Sequence, residues 1–449
     1  MPDFDVFENR WTISAALELE TPLRIGGGQN AAAYSISAAP VLQTYNAQMQ
    51  AYEPYIPGSS LKGVLRSTVE RIIRTFNDNK SCISVSDTGA REKTPCRECI
   101  SCGIFGSMKA GAKIRVRDLH LSKSSMGLYG SVKEQPHCAT KYKIYDGKFN
   151  VQTRTRSLRN KRIEVADTFL RTEETVTSGI CFDIQIDIDN ADEKEIGLVL
   201  LALDEFNNKR INLGGGTSRG NGFADIRDIA VMKKSIDERF KISESPYDAG
   251  VLMREGKKYL KTIDSGKDPD RRDFDIYYKA HSAEKIPEGH IVALLKVTAL
   301  SDFIMPGVEE ETVTSGGLPV IPGSTIKGYL RHSLIDKGAD ANKIKEIFGF
   351  TERDSHRSRL LVSDAYSDIL DDPNKIPSGS VLKMWMVFDN MTREEVHLIE
   401  DIIKKNSLVV TGKTSAKWDA AARSAKNNIV KMEFESVDIF KTSSYLAGI

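Results

Sequence analysis

Two stretches of this 449-residue sequence place a lysine and an arginine one helical turn apart, just behind a glycine-hinged turn. The first, IPGSSLKGVLR, carries Ser59, Ser60, Lys62 and Arg66; the second, IPGSTIKGYLR, carries Ser324, Thr325, Lys327 and Arg331. Proline and glycine set a sharp turn, the hydroxyl residues suit capping, and a helix is expected from about Leu61. Unpaired N–H groups at a helix start, flanked by two cations on one face, are suited to phosphate. A capped helix whose Lys and Arg merely face water is the plainer alternative, and the presence of both cations in both copies weighs against it.

Three further clusters could do chemistry. LGGGTSRGNGF, from Leu213 to Phe223, combines glycines such as Gly215 and Gly216 with Arg219, so backbone and charge could both approach a ligand; a tight connection into a strand is the alternative. Cys96, Cys99 and Cys102 form C-x-x-C-x-x-C with Cys82 a short loop upstream, and four thiolates make a closed structural Zn²⁺ site. His137 or Cys138 could stand in for Cys82, and unligated thiols are the remaining option. TRTRSLRNKR, with Arg154, Arg156 and Arg159, follows the aromatics Tyr142, Tyr145 and Phe149, a mixture suited to tracking a nucleic-acid backbone and stacking on bases, or else a solvated loop.

The elements that must position these groups come in two sets. Each turn follows an apolar strand-like stretch, from Trp11 or from Ile291, and precedes a helical pattern. Downstream, Phe105, Gly106 and Asp118 recur as Phe348, Gly349 and Asp364, and each half then has a Ser-Gly turn, an alternating strand and an amphipathic helix. The order strand, helix, strands, helix, strand suits an α+β fold of two tandem ferredoxin-like domains. Domains are expected at 1–232 and 289–449, with 233–288, rich in Lys, Asp, Glu and Ser, as a solvated charged linker with local helix. Half two reads VVTGKTSAKWDAAARSAKNN where half one has its glycine loop, so glycines are lost and basic residues kept.

Composition narrows the classes. Sixty-three basic and 62 acidic residues leave a formal charge of +1, so any nucleic-acid site must be local. Six cysteines are few for a disulfide scaffold of this length. No apolar run is long enough to cross a bilayer, and MPDFDVFENRW lacks the basic start of a secretory signal, so a cytoplasmic address without a membrane partner is expected.

These motifs resemble the RAMP superfamily of CRISPR-associated proteins, in particular the repeated backbone subunits of type III effectors. Two copies on one chain resemble the fused subunits of III-D-like systems. The resemblance implies modified RRM-like domains, the first with a zinc-binding insertion and a long thumb hairpin between its first strand and its IPGS turn. It implies a guide crRNA held by turn, helix and glycine loop, a target RNA paired with it, and other RAMP subunits as neighbours in a multisubunit complex for antiviral defence. Active relatives carry a loop aspartate shortly before a Pro-Val pair, which supports target cleavage with Mg²⁺ or Mn²⁺. Here the slot before Pro40 and Val41 holds Ala38, which can neither ligate a metal nor act as a base. RNA binding without cutting at this site is therefore expected, with a metal-dependent endoribonuclease as the alternative; Glu309, Glu310 and Glu311 read as an exposed acidic turn.

Overall fold

The computed structural model describes residues 6–26, 41–48, 50–77, 80–82, 99–107, 110–130, 151–158, 169–236, 241–264, 290–303, 314–315, 318–350, 357–367, 375–405, 409–410 and 429–439. Half one contains β1 (Asn9–Leu19), β2 (Gln43–Asn46), β3 (Ala51–Pro54), α1 (Gly58–Phe76), α2 (Ile100–Phe105), β4 (Ile114–Val116), α3 (Lys123–Gly130) and β5 (Val151–Leu158). It continues through β6 (Phe169–Val176), β7 (Cys181–Asp189), α4 (Glu193–Asn207), β8 (Ala224–Ile236), β9 (Ile242–Tyr247) and α5 (Ala249–Ile263). Half two contains β10 (His290–Ala299), β11 (Thr314–Ser315), β12 (Leu318–Pro319), α6 (Gly323–Asp336), α7 (Ala341–Phe348), β13 (Leu360–Val362), β14 (Val381–Asp389), α8 (Arg393–Lys405), β15 (Val409–Val410) and β16 (Ile429–Ile439). Among the described residues, no helix is long and apolar enough to cross a membrane.

Apolar alternation makes the central strands. In β1, Trp11, Ile13, Ala15, Leu17 and Leu19 are buried against the helices, while Arg10, Thr12 and Ser14 take the other face. The first sheet runs β4-β7-β1-β8-β9 and the second β13-β14-β10-β16-β15, with antiparallel neighbours. Both halves thus fold as mixed α and β structure on an antiparallel sheet, with the first strand of each half between its third and fourth main strands. Leu61, Leu65, Val69 and Ile73 of α1 seal one core; Ile326, Leu330 and Leu334 of α6 seal the other.

Two expectations change. The segment expected as a solvated linker with local helix does hold a helix, α5, capped by Asp248, which accepts from Val251 N at 2.8 Å, but β8 also runs on into it to Ile236 and β9 pairs with β8. Leu252, Gly256 and Leu260 recur every fourth residue and bury one stripe of α5 against α4, a pattern hidden by the surrounding charge. The basic stretch at 153–162, read as tracking a nucleic-acid backbone or else as a solvated loop, begins as strand β5, paired with β6.

The halves meet through the glycine-rich segment. Phe223 is fully buried in a cluster with Val292, Leu361 and Val387, packed by Trp385, all on half two. Lys209 Nζ lies 5.8 Å from the Trp385 ring centre, and Arg210 lies 3.9 Å from Asp438. Burial opposes ionisation of Asp389, yet His290, Arg357 and Arg71 of half one hold its carboxyl at about 2. Replacing Phe223 by Ala is expected to cost about 3–5 kcal/mol. Chemical denaturation followed by fluorescence should show the loss, together with earlier protease cutting at the junction.

Candidate nucleic-acid interface and metal centre

Each duplicated turn is closed by a carboxylate from far along the chain. Helix α1 begins at Gly58, three residues before the expected start, and its N-cap Pro57 has no side-chain cap. Ser59 and Ser60 therefore do not cap it. The cap is remote: Gly58 N donates to Asp118 Oδ1 at 2.8 Å, and in half two Gly323 N donates to Asp364 Oδ1 at 2.8 Å. Ser324 and Thr325 likewise follow an N-cap proline, Pro322, without a side-chain cap. A Cβ on Gly58 would stand 2.1 Å from Val116 O, and one on Gly323 would stand 2.2 Å from Val362 O. Only glycine lets the helix start press onto the strand that delivers the carboxylate. The first N–H of each helix, expected to face phosphate, is thus committed to an anion of the protein itself.

The cations diverge between the copies. Lys62 Nζ donates to Ile114 O at 3.1 Å, and burial, then Arg66, pushes its pKa down. Arg66 turns inward to Glu70 at 2.9 Å, Gly106 O at 2.9 Å and Cys102 Sγ at 3.8 Å, instead of pairing with Lys62 on an open face. In half two Lys327 Nζ donates to Ser358 Oγ at 2.6 Å and, across the junction, to Ser218 O at 2.8 Å. Burial first, then Arg219, Arg357 and Arg331, pushes Lys327 down to about 7. The structure therefore brings Arg219, Lys327 and Arg331 together and adds Arg357, whose signal was the RDSHRSR run ahead of β13.

The glycine loop approaches protein rather than open space. Gly220 has φ +79°, and a Cβ there would lie 2.2 Å from Ser363 Cα. Gly216 caps the short turn Thr217–Arg219, and Gly215 N donates to Arg24 O at 2.7 Å. Cys82, Cys99 and Cys102 place their sulfurs within 4.8 Å of one another, a group that could hold a metal ion. Cys96, His137, Cys138, Arg159 and Ala38 lie outside the described residues, and for Arg154 and Arg156 only the strand backbone is described.

Removing the remote caps should weaken each half. Asp118→Ala is expected to cost about 1–2 kcal/mol, and Asp364→Ala at least as much, because Asp364 is buried; thermal melts would measure both. A lysine whose folded pKa lies near 7 binds fewer protons than the unfolded chain up to about pH 10.4. Its contribution to stability therefore rises with pH from about 7 upward. That slope should appear in melts taken across pH 7 to 9 and flatten in Lys327→Met.

Comparison with known proteins adds two findings. A family model described as the RAMP superfamily matches residues 16–225 and 296–431. A protein named CRISPR system Cms endoribonuclease Csm3, from Methanocaldococcus jannaschii, is 27% identical over 235 residues, spanning 49% of this chain and 80% of that relative.

Proposed function

The chain belongs to the RAMP superfamily, and on that footing we propose that it is an RNA-binding backbone subunit of a type III-like CRISPR effector. In this reading it holds a guide crRNA and the duplex that the guide forms with target RNA, beside other RAMP subunits. The strand order repeated in both sheets supports two tandem ferredoxin-like domains, and in this reading they are a fused pair of the III-D-like kind. The observation that carries RNA binding is the cation cluster at the junction. Lys327 Nζ of half two donates to Ser218 O of half one at 2.8 Å, next to Arg219, and Arg331 and Arg357 stand near enough to push its pKa down, so positive charge from both halves converges where a phosphodiester would supply the anion. Guanidinium groups suit phosphate because their donors form a rigid fork. Lys62, Ser59, Ser60, Arg154, Arg156 and Arg159 would contact the same polyanion from half one, and Gly215, Gly216, Ser324 and Thr325 would line its path.

Zn²⁺ fits the cysteine cluster. Zn–S bonds of about 2.3 Å give a tetrahedral edge of about 3.8 Å, and Cys82 Sγ lies 3.7 Å from Cys99 Sγ. Cys96 would complete the set with Cys102. Bound zinc would serve as a structural cross-link.

The relative's name favours a second reading, a metal-dependent endoribonuclease. With Ala38 in the expected aspartate slot, this chain binds without cutting there, and Mg²⁺ or Mn²⁺ would matter only once a carboxylate is restored.

The test is RNA binding by fluorescence anisotropy across a salt series. Arg219→Ala, Arg331→Ala and Arg357→Ala together should weaken affinity at least about tenfold and lower the salt slope by about one for each phosphate no longer neutralised. Unchanged affinity and slope would sink the reading. In a nuclease assay, Ala38→Asp should gain metal-dependent cleavage that the parent chain lacks; cutting by both would overturn binding without cutting.

A further inference from the structure

Behind the cysteine cluster stands a set of side chains that RNA binding does not use. Arg66, Glu70 and Arg74 lie at i, i+4 and i+8 on α1 and so share one face of the helix. Glu70 is wholly buried, with its carboxylate 2.9 Å from Arg66 Nε and 3.8 Å from Arg74 Nη1. Each arginine spends further donors on a cysteine segment. Arg66 reaches Cys102 Sγ at 3.8 Å and Gly106 O at 2.9 Å, while Arg74 donates to Cys82 O at 2.9 Å. The hydroxyls of Ser81 and Ser101, 3.1 Å apart, tie the same two segments together.

The second copy of the turn is an internal control. Where half one has Arg66, Glu70 and Arg74, half two has Arg331, Ile335 and Ala339, and half two contains no cysteine. Ile335 is exposed. The buried glutamate and its second arginine occur where the cysteines occur and are absent where they are absent. A carboxylate is costly to bury without partners, so this one has a task in half one that half two lacks.

We infer that Arg66, Glu70 and Arg74 are positioning residues of the metal site. Arg66 donates an N–H to the Cys102 thiolate, Arg74 fixes the backbone of Cys82, and Glu70 sets the angle of both guanidiniums. Hydrogen bonds to ligating atoms orient them and offset the negative charge that several thiolates leave on a dication. The inference rests on the reading that the cysteine cluster binds zinc. It also ties metal occupancy to α1, the helix that starts at the duplicated turn.

The experiment uses the full chain loaded with Zn²⁺, or with Co²⁺ as a spectroscopic probe. Metal content, the rate of zinc release to a chelating dye, and the sulfur-to-cobalt charge-transfer band are recorded for the parent, Arg66→Ala, Arg66→Lys, Glu70→Gln and the exposed-face control Ser67→Ala. One metal per parent chain is expected. Arg66→Ala should lower zinc affinity by about 10- to 100-fold and shift the cobalt band. Glu70→Gln should move both readouts in the same direction by less, and Ser67→Ala should match the parent. If Arg66→Ala does not fold, Arg66→Lys decides, because it keeps the charge and loses the fork; its band should still shift. A parent that holds no metal overturns the zinc reading and this inference with it. A loaded parent whose Arg66 variants keep the parental release rate and band overturns the positioning role alone.

Discussion

A single hydrogen bond from the first N–H of α1, and of α6, to a carboxylate just past the neighbouring strand fixes the geometry on which both halves depend. Asp118 and Asp364 lie 60 and 41 residues downstream of the glycines they cap, so the bond closes a long loop and locks helix to sheet. With that register set, Lys62 reaches the start of β4 at Ile114 O, and Lys327 reaches Ser358, just ahead of β13. A local serine N-cap would bond the N–H of the second or third helical residue instead and would leave the angle between helix and strand undetermined. The requirement for glycine at positions 58 and 323 follows from the same contact, since the backbones touch where a side chain would begin.

The two sheets share a strand order but treat their outer faces in opposite ways. In half two, Val292, Val387, Leu361 and Trp385 form an apolar patch that Phe223 covers. The register of β1, β7 and β4 puts Thr12, Asp187, Arg115 and Gln185 in the matching places of half one. There Thr12 and Arg117 bond Asp187, and Arg10 and Arg115 bond Asp189, so the face is a layer of ion pairs with guanidiniums outermost. Repeats that stack need apolar seams between them and polar surfaces at their ends. By that measure half one carries an end face, and the seam lies inside the chain.

The duplicated turn is legible in the sequence because proline, glycine and the two basic residues recur in order, and the alternating strands and amphipathic helices follow from their periods. Asp118 and Asp364 are visible as matched positions, but their role is not, because capping from another element leaves no local spacing signal. Helical periodicity correctly puts Lys62 and Arg66 on one face. It cannot say that Gly106 and the cysteine segment turn Arg66 inward, or that half-buried Lys62 lies against Ile114 O of β4. The glycine loop is recognisable as a place of close approach, while its partner, the backbone at Ser363, belongs to the other half and lies far away in sequence. The segment after Met232 reads as a linker because its charge outweighs three small or apolar residues spaced by four.

The junction and the proposed RNA site are one structure. Lys327 binds Ser218 O across the seam, and Arg219 comes from the loop that delivers Phe223. A buried lysine among arginines opposes docking of the halves, whereas Phe223 and the ion pair of Arg210 favour it. An anion seated on the cluster would restore the charge of Lys327 and remove the repulsion, so binding and docking would be linked and each would strengthen the other. That linkage would give Arg219 its place: it is the one cation of the four that half one supplies, on the loop whose Gly220 packs against Ser363 and whose Ser218 O accepts from Lys327.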